Sequence, residues 1–462
     1  MPRRPLILLA WAWACAVQAQ SLPPTVEAAL ARAKVPRESL VAYVAEADGK
    51  ATPRLAHRTD ATVNPASIAK LATTFAGLDV LGPAYTWATP VYIDGTIENG
   101  TLQGSVYIQG RGDPKLVTER LWLLLRRVQG LGIRHIAGDI VLDRSAFDVP
   151  PQDPGAFDGE PLRPYNAGPD ALLVNFKSVL ITFTPAGTRA LVHVEPPLRG
   201  VQFPAEVPLR AGCGDWRPQL QADFKDPARV RFAGAYGASC GERNWPVAYA
   251  QPASYSARAI AGMWQHLGGT LAGQVREGRV PAGQQPAFEL SSPPLADVIR
   301  DINKFSNNVM AQQLFLTLAL QRGMPATFDS AREAMRAWWA ARIGGDAPGF
   351  QNGSGLARDE RTTAAQLARL LHAAWASPLM PEFIASLPLA GVDGTLATSA
   401  KGRSGRGLAH LKSGSLWNVQ GVAGYVDGTN GRRYVLVAIV NDAHANQAQA
   451  ALDALLAWTA QE

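Results

Sequence analysis

The stretch NPASIAKLATTF, residues 64–75, decides the fold. Asn64 suits an N-cap, because its side chain can accept hydrogen bonds from the unpaired N–H groups of a first helical turn, and Pro65 suits the first helical position. The pattern therefore predicts a helix that carries Ser67 and Lys70, three residues apart, on one face. Apolar side chains follow at helical spacing, at Ile68, Leu71, Ala72 and Phe75.

The pair Ser67 and Lys70 has two interpretations. An exposed Ser-x-x-Lys arises by chance on many helices, so the pair alone does not establish a site. Chemically, a serine hydroxyl is a weak nucleophile that needs a nearby base. A lysine one turn away can accept the hydroxyl proton if its amine is neutral, and burial or a neighbouring cation lowers a lysine pKa in that direction. The rest of the chain has to decide between the two.

Length and composition indicate a globular protein of two or three domains. The chain has 462 residues, of which 47% are hydrophobic and 18% charged. The formal net charge is +6, and the lysines and arginines are scattered along the chain. A nucleic-acid partner is therefore not expected, although a mild attraction to an anionic polymer of the cell envelope fits this charge.

The first nineteen residues have the features of a cleavable signal peptide. Arg3 and Arg4 give a positive start, residues 6–17 form an apolar run too short to span a bilayer comfortably, and small residues lead up to a cleavage site after Ala19. No later stretch is apolar enough for a transmembrane helix. We therefore expect a periplasmic or otherwise extracytoplasmic protein without a transmembrane segment.

The cysteine count points to a disulfide. Removal of the signal peptide removes Cys15 and leaves Cys213 and Cys240. An even number of cysteines in an oxidising compartment predicts a bond between them. The alternative is a pair of buried free thiols.

The texture of the sequence changes twice along the chain. From about residue 85 to 249, short β-like runs such as GSVYIQG and SVLITFTP are separated by glycine, proline and asparagine turns. Helical spacing returns from Ala257, and two strands and a closing helix end the chain. The simplest organisation is one domain formed by residues 20–88 and 252–462, with one or two β-rich domains, residues 89–251, inserted between its halves.

Two further motifs lie in the C-terminal half. Ser306-Asn307-Asn308 occurs in the helical region, and Lys412-Ser413-Gly414 lies in an extended stretch before the last hairpin. In order, S-x-x-K, S-x-N and K-[ST]-G form the motif set of penicillin-interacting serine enzymes. Each motif is weak alone, but three in this order behind a signal peptide indicate a serine hydrolase whose nucleophile is Ser67 and whose base is Lys70.

Each remaining motif residue has a chemical role in this interpretation. The charge of Lys412 would lower the pKa of Lys70, and Ser306 could relay a proton to the leaving amine. Asn308 could bind a substrate carbonyl or hold Lys70 in place. A substrate carboxylate would be bound by Lys412 and Ser413, in the same segment as Gly414.

An oxyanion hole could come from two backbone N–H groups, those of Ser67 and Ser415. A donor of that kind typically contributes roughly 2.7–4 kcal/mol to the stabilisation of a transition state.

Competing chemistries have less support in the sequence. The seven histidines form neither H-E-x-x-H nor a pair at metal-ligand spacing, so no metal and no cofactor are predicted. Spacing alone leaves a Ser-His-Asp triad open, but no local motif favours it.

The motifs, together with their surroundings, resemble the class C low-molecular-mass penicillin-binding proteins, which are D-alanyl-D-alanine carboxypeptidases and endopeptidases. NPASIAKLATT is similar to their active-serine motif and FSNNVMAQQLF to their S-x-N helix. NGSGLARDERTTAAQLARLL and LPLAGVDGTL resemble further signatures of the family. The long separation of Ser67 from Ser306 fits as well, because this family inserts extra domains there.

This resemblance implies an α/β (α+β) fold of the penicillin-recognising serine transferase/β-lactamase type, an antiparallel sheet flanked by helices with a β-rich insertion. It implies an acyl-enzyme on Ser67, Lys70 as base, Ser306 and Asn308 as the second motif and Lys412 in the third. The implied substrates are D-Ala-D-Ala peptides and cross-links of peptidoglycan, the implied inhibitors are β-lactams, and no cofactor is involved. Ser413 departs from the family, which usually has threonine there.

Two other functions stay open from the sequence. A β-lactamase of the same fold is one, against which the long insertion argues. A non-catalytic envelope protein that grips glycan or a partner is the other, against which the intact Ser67 and Lys70 pair argues. The sequence favours neither carboxypeptidase nor endopeptidase activity over the other, and it does not indicate an oligomeric state.

Overall fold

The computed structural model describes residues 21–398 and 406–461. The predicted signal peptide, residues 1–19, lies outside the described residues. Within the described ranges, no helix is both long and apolar enough to cross a bilayer.

The described residues form eleven α-helices and nineteen β-strands. The helices are α1 (Pro24–Arg32), α2 (Lys70–Leu81), α3 (Thr118–Gly130), α4 (Trp216–Gln219), α5 (Pro252–His266), α6 (Leu295–Lys304), α7 (Asn308–Gln321), α8 (Phe328–Arg342), α9 (Ala364–Trp375), α10 (Met380–Ser386) and α11 (Gln449–Ala460). The strands are β1 (Leu40–Glu46), β2 (Leu55–His57), β3 (Ala88–Glu98), β4 (Thr101–Gln109), β5 (His135–Ile136), β6 (Ile140–Asp143), β7 (Ser178–Ala186), β8 (Arg189–Glu195), β9 (Glu206–Arg210), β10 (Ala222–Asp223), β11 (Arg231–Phe232), β12 (Tyr236–Gly237), β13 (Arg243–Ala248), β14 (Thr270–Leu271), β15 (Val275–Glu277), β16 (Phe288–Ser291), β17 (Ala409–Leu416), β18 (Val419–Asp427) and β19 (Arg433–Asn441).

Both ends of the chain build one five-stranded sheet, in the order β17-β18-β19-β1-β2. Every neighbouring pair in it is antiparallel. Strand β17, which carries the K-S-G motif, is an edge strand, whereas β19 is central and buried along almost its whole length. A strand covered on both faces needs apolar side chains on both, which explains the unbroken run YVLVAIV, residues 434–440.

Helices cover both faces of this sheet. On one face, α2 and α6–α10 pack into a core that includes Phe75, Phe315 and Trp339. On the other face, α1 and α11 pack against the sheet through Leu30 and Leu452. The antiparallel sheet flanked by helices, which the family resemblance implies, is therefore present.

Two larger sheets and the two-stranded sheet β10-β11 lie between the halves of this fold. One joins strands in the order β14-β5-β4-β3-β16, with β6 paired to β4 and β15 paired to β6, and the other has the order β12-β9-β8-β7-β13. Both sheets contribute to one hydrophobic core with α3 and α5. The β-rich texture of the sequence thus corresponds to a single packed unit.

The predicted boundary at residues 251 and 252 falls inside this unit. Strands β14, β15 and β16 all follow residue 252, yet they pair with β5, β6 and β3. Tyr255 and Trp264 of α5 also belong to the core of the β-rich unit. The boundary was predicted at the start of α5 because this helix has clear helical spacing. The strands that follow it have only two to four residues and give almost no periodic signal.

Cys213 and Cys240 form a disulfide, with an S–S distance of 2.06 Å. The bond closes a loop with a sequence separation of 27 residues. Cys240 is buried in the core of the β-rich unit, where Phe183 stacks on Tyr236 at a centroid distance of 5.3 Å. The disulfide predicted from the even cysteine count is therefore formed in the structure.

The helix predicted from Asn64 begins differently. Residues Ala66–Ala69 form a 3-10 turn, and the α-helix α2 starts only at Lys70. The side chain of Asn64 does accept a backbone hydrogen bond, from Ala66 N at 2.8 Å, but the turn that this bond closes leads into the 3-10 turn and not directly into an α-helix. Ala66 accordingly has a left-handed backbone, with φ of 48°. Ser67 therefore lies in the 3-10 turn and Lys70 in the first position of α2.

Candidate active site

Ser67 lies on a turn against which two other segments pack closely. Each of these segments has a glycine at the point of contact, Gly414 in one and Gly355 in the other. A Cβ on Gly414 of β17 would lie 2.5 Å from the carbonyl oxygen of Pro65. A Cβ on Gly355 would lie 1.9 Å from the carbonyl oxygen of Ala66, and Gly355 also has a φ of 74°. Any larger residue at either position would push its segment away from the turn. The third motif therefore needs glycine at position 414, because a side chain there would collide with the turn that carries Ser67.

Lys70 is completely buried, and its side-chain nitrogen has three close oxygen neighbours. Lys70 Nζ lies 2.9 Å from Ser67 Oγ and 2.7 Å from Asn308 Oδ1. It also lies 2.5 Å from the backbone carbonyl oxygen of Ser354. The lysine thus connects the first motif, the second motif and the loop at residues 352–355.

Burial and charge act on Lys70 in the same direction. Burial lowers the pKa of Lys70 well below its usual value, and the nearby charge of Lys412 lowers this pKa further. The carboxyl group of Glu360 has the opposite, smaller effect and raises the pKa of Lys70. Glu360 is itself buried, and burial raises its pKa to about 7. This environment favours a neutral amine on Lys70.

Lys412 is a second buried lysine, at the start of the third motif. Its Nζ donates to Ser306 Oγ at 2.9 Å and to the carbonyl oxygen of Ser413 at 2.9 Å. Burial lowers the pKa of Lys412 to about 7. The second and third motifs are therefore joined by a hydrogen bond between Lys412 and Ser306.

The S-x-N motif occupies the junction between α6 and α7. Ser306 has a left-handed backbone with φ of 55°, which reverses the chain between the two helices. Asn307 then caps α7 by accepting from Met310 N at 3.1 Å. Asn308, the first residue of α7, turns its side-chain amide toward Lys70. Of the two roles considered for Asn308, holding Lys70 is the one that the geometry allows directly.

One cleft of about 460 Å³ brings the three motifs together. Its lining includes Ser67, Ser306, Ser413 and Ser415. Ser415 is exposed on the edge strand β17, next to this cleft. A peptide could therefore lie along β17 with a carbonyl group near Ser67.

The β-rich unit contributes backbone groups to the same region. Asn308 Nδ2 donates to the carbonyl oxygen of Tyr165 at 3.0 Å. The buried side chain of Gln313 on α7 makes a reciprocal pair with the backbone of Asp170, donating to its carbonyl oxygen at 2.8 Å and accepting from its N–H at 2.9 Å. The helix that carries Asn308 is thus hydrogen-bonded to the β-rich unit at two places.

Three contributors to the site were missed in the sequence. The carbonyl oxygen of Ser354 belongs to the turn Asn352-Gly353-Ser354-Gly355, whose glycines were a signal for a tight loop but not for its location. Glu360 lies in the charged run RDER, residues 358–361, which is typical of an exposed surface. Thr395 lies in LPLAGVDGTL, one of the stretches that resemble family signatures, but nothing in that stretch indicates that its hydroxyl lies 2.7 Å from Ser413 Oγ.

Within the described ranges, no group of three or more histidine, cysteine, aspartate or glutamate side chains is arranged so that it could hold a metal ion.

Comparison with known proteins gives consistent matches over almost the whole chain. The model of the D-Ala-D-Ala carboxypeptidase 3 (S13) family matches residues 22–462. A D-alanyl-D-alanine carboxypeptidase of Actinomadura sp. (strain R39) is 28% identical over 421 residues, which cover 85% of this chain and 76% of that protein. The D-alanyl-D-alanine carboxypeptidase DacB of Haemophilus influenzae is 26% identical over 393 residues, 81% of this chain and 80% of the relative.

Solved structures share the fold. Penicillin binding protein 4 (dacB) from Haemophilus influenzae superimposes with a TM-score of 0.72 at 22% sequence identity, over 94% of this chain and 99% of that one. The same protein has also been solved in complex with a β-lactam. The penicillin-recognising fold expected from the motifs is thereby confirmed. The chain belongs to the D-Ala-D-Ala carboxypeptidase 3 (S13) family and is a serine-type D-Ala-D-Ala carboxypeptidase.

Proposed function

We propose that the enzyme cleaves the D-Ala-D-Ala bond through an acyl-enzyme on Ser67, with Lys70 as the general base. The single observation that carries this proposal is the set of three oxygen atoms around Lys70 Nζ. Two of them, Asn308 Oδ1 and the carbonyl oxygen of Ser354, can only accept hydrogen bonds. The third, Ser67 Oγ, can either accept or donate.

This difference orients the amine when it is neutral. A neutral amine has two hydrogens and one lone pair. If the two carbonyl oxygens take the two hydrogens, the lone pair is left facing Ser67 Oγ, and the serine hydroxyl must then be the donor. Lys70 is thereby ready to take the proton as Ser67 attacks. Its lowered pKa favours the neutral form.

In the acylation step, Ser67 Oγ forms a bond to the carbonyl carbon of the penultimate D-Ala, and its proton goes to Lys70. The backbone N–H groups of Ser67 and Ser415 stabilise the resulting oxyanion. The C–N bond then breaks, and the proton taken up by Lys70 passes through Ser306 to the leaving amine, which returns Lys70 to its neutral form. Lys412 holds Ser306 by a hydrogen bond. The terminal D-Ala departs as a free amino acid.

In the deacylation step, water attacks the ester carbonyl. Lys70 again takes the proton, the ester C–O bond breaks, and Ser67 recovers its hydroxyl group. The shortened stem peptide leaves with a new carboxylate. No cofactor is needed for either step.

We propose that Lys412 and Ser413, in the segment with Gly414, bind the free carboxylate of the terminal D-Ala. The support is their position on the edge strand β17, where a peptide can lie antiparallel. Since burial lowers the pKa of Lys412 to about 7, an anionic substrate favours its charged form on binding.

We further propose that the natural substrates are stem peptides and cross-links of peptidoglycan in the cell envelope. The support is the carboxypeptidase family itself and the leader-like residues 1–19, which would export the chain to the periplasm. Endopeptidase activity differs only in the leaving amine, which belongs to a second stem rather than to free D-Ala. The test is to supply purified monomeric pentapeptide and cross-linked dimers and to follow D-Ala and monomer release separately.

We also propose that residues 88–291, rather than 89–251, form the inserted unit and that it carries no bond-breaking chemistry. The support is that all three motifs lie outside these residues, while the strands within them pair with one another. A role in binding the polymer beyond the scissile peptide fits such a unit.

Mass spectrometry after incubation with benzylpenicillin tests the central proposal. A mass increase equal to one penicillin that persists for minutes, and that peptide mapping assigns to Ser67, is the expected result. Rapid turnover of penicillin without a persistent adduct would instead indicate a β-lactamase. No adduct at all with correctly folded protein would indicate a non-catalytic envelope protein.

A further inference from the structure

We propose that Thr395 is a positioning residue for Ser413, so that the two hydroxyl groups form a relay toward the substrate carboxylate. The side-chain oxygens of Thr395 and Ser413 lie 2.7 Å apart. Both residues line the cleft that contains Ser67 and Ser306. This inference rests on the proposed role of Ser413 in binding a carboxylate, and it assigns a further residue to that role.

Thr395 is held in place by an ion pair that reaches back to the second motif. It lies two residues after Asp393, whose Oδ2 is 2.5 Å from Nζ of Lys304, at the end of α6. The other oxygen of Asp393 accepts from Leu389 N at 2.8 Å. Lys304 precedes Ser306 by two residues, so the loop at residues 391–396 connects the second motif with the third across the cleft.

The backbone of this loop packs closely on α6. Gly394 has a φ of 57°, and a Cβ there would lie 2.5 Å from the carbonyl oxygen of Lys304. A larger residue would lift the loop and carry the Thr395 hydroxyl away from Ser413. In the sequence Asp393-Gly394-Thr395, the aspartate forms the ion pair with Lys304, the glycine allows the close backbone contact with α6, and the threonine supplies the hydroxyl.

A hydrogen bond from Thr395 matters because residue 413 is a serine and not a threonine. A threonine has two heavy atoms on Cβ, which restrict its χ1 angle, whereas a serine rotates more freely. The hydrogen bond to Thr395 restricts Ser413 in place of the missing methyl group. Substrate binding by a fixed hydroxyl loses less conformational entropy than binding by a rotating one.

The bond also has a favourable direction once a carboxylate is present. Ser413 would then donate its only hydrogen to the carboxylate, which leaves its oxygen free to accept from Thr395. Each hydrogen bond in such a chain polarises the next one. The relay therefore runs from the Thr395 hydroxyl through the Ser413 hydroxyl to the negative charge of the substrate.

The test compares acylation by benzylpenicillin, which has a carboxylate, with acylation by its methyl ester, which lacks the charge. Thr395→Val is nearly isosteric, and we expect it to lower the second-order acylation rate with benzylpenicillin about tenfold, because a hydrogen bond that supports a charged partner is lost. With the methyl ester the rate should change less than about twofold, since no charge is bound. Thr395→Ser should restore the rate with benzylpenicillin to within about twofold.

The relay also predicts how the two positions depend on each other. In a Ser413→Thr background, where the methyl group fixes χ1, Thr395→Val should cost less than about threefold. Thr182→Val serves as a matched control, because it removes an exposed threonine hydroxyl bonded to Asn244 at 2.9 Å on β7, and it should leave both rates unchanged.

Distinct outcomes separate this inference from the proposed function. An unchanged rate for Thr395→Val overturns the relay, and so does an equal loss with both penicillins or in both backgrounds. If Ser413→Ala lowers benzylpenicillin acylation while Thr395→Val does not, only the role of Thr395 is refuted. If Ser413→Ala itself has no effect, the proposed carboxylate site is wrong. Should Thr395→Val fold poorly in thermal melting, Thr395→Ala provides the same comparison.

Discussion

Lys70 Nζ and Asn308 Oδ1 lie 2.7 Å apart, although the two residues are separated by 238 positions in the chain. Both side chains are buried. The carbonyl of Asn308 cannot donate a hydrogen bond, so it fixes one hydrogen of the lysine amine whatever its protonation state. The second motif thus orients the amine of the first motif, the group that we propose as the general base.

Asn308→Ala should lower the acylation rate by benzylpenicillin about ten- to a hundredfold, because the lone pair of Lys70 is no longer directed at Ser67. Stopped-flow measurement of the acylation rate checks this. Asn307→Ala is the matched control, since it removes only the cap of α7 and should cost about 1 kcal/mol of folding stability with a smaller effect on the rate. Equal rate losses in the two variants would mean that α7, and not the amide, matters.

Ser67→Ala should abolish the penicillin adduct while the fold persists. Alanine fits the 3-10 turn, because only the part-buried hydrogen bond between Ser67 Oγ and Lys70 Nζ is removed. Intact-mass spectrometry and circular dichroism on the same sample check both statements. An adduct that survives in this variant and maps to Ser306 or Ser413 would contradict the assignment of the nucleophile.

Glu360→Gln should move the acid limb of the acylation pH profile to lower pH. The negative charge of Glu360 raises the pKa of Lys70, so its removal lowers this pKa and leaves more neutral amine at a given pH. Because burial raises the pKa of Glu360 to about 7, the difference should be largest near and above pH 7, where the carboxyl group is ionised.

Asp359→Asn is the control for this experiment. Asp359 is the preceding residue, but its side chain is exposed and screened by water. We expect its pH profile to match that of the unmodified enzyme. A limb displaced to higher pH in Glu360→Gln would show that the carboxyl group acts through the loop at residues 351–354 and not through its charge.

Gly414→Ala should impair both stability and acylation. The new methyl group would meet the carbonyl oxygen of Pro65 at 2.5 Å, so β17 and the turn with Ser67 must separate. We expect a loss of about 1–3 kcal/mol in the free energy of unfolding and roughly a hundredfold loss in acylation rate. Gly130→Ala is the control, because nothing lies within 4 Å of that Cβ position, and its stability should change by no more than about 0.5 kcal/mol.

Replacing both Cys213 and Cys240 by alanine should destabilise the β-rich unit without removing penicillin acylation. The closed loop has a sequence separation of 27, for which the chain-entropy model gives roughly 3–4 kcal/mol. Urea denaturation of the two proteins measures the difference, and neither cysteine lies in the catalytic cleft. Two free thiols in unreduced, denatured enzyme would contradict the bond itself.

Local patterns were sufficient for much of the flanking fold. The chain turns at Asp48-Gly49-Lys50 between β1 and β2 and at Thr429-Asn430-Gly431 between β18 and β19, and both stretches have the glycine, aspartate and asparagine residues that are typical of tight turns. The apolar spacing after Lys70 predicted α2. The predicted start of that helix was wrong. The side chain of Asn64 accepts from Ala66 N ahead of a 3-10 turn, and the backbone N–H of Asn64 donates to Asn441 Oδ1, a contact that no local pattern reveals.

The parts that could not be predicted depend on contacts between distant segments. Glu360 is buried only because the loop at residues 351–354 folds over it, and its neighbours in sequence are exposed. Thr395 becomes relevant only when β17 lies beside it. The boundary of the inserted unit was misplaced because β14 and β16 are recognisable only by their partners β5 and β3.

The reciprocal bond between Gln313 and the backbone of Asp170 has a consequence for the history of this family. Without the β-rich unit, the buried amide of Gln313 would lose both partners, at a cost of about 1–3 kcal/mol for each unsatisfied group. A chain that sheds or replaces the unit must therefore also change this position to an apolar residue. Across relatives, we expect the residue at the position of Gln313 to covary with the presence of the β-rich unit. The identity of this one residue, which is not part of the three motifs, would then indicate whether a chain contains the unit.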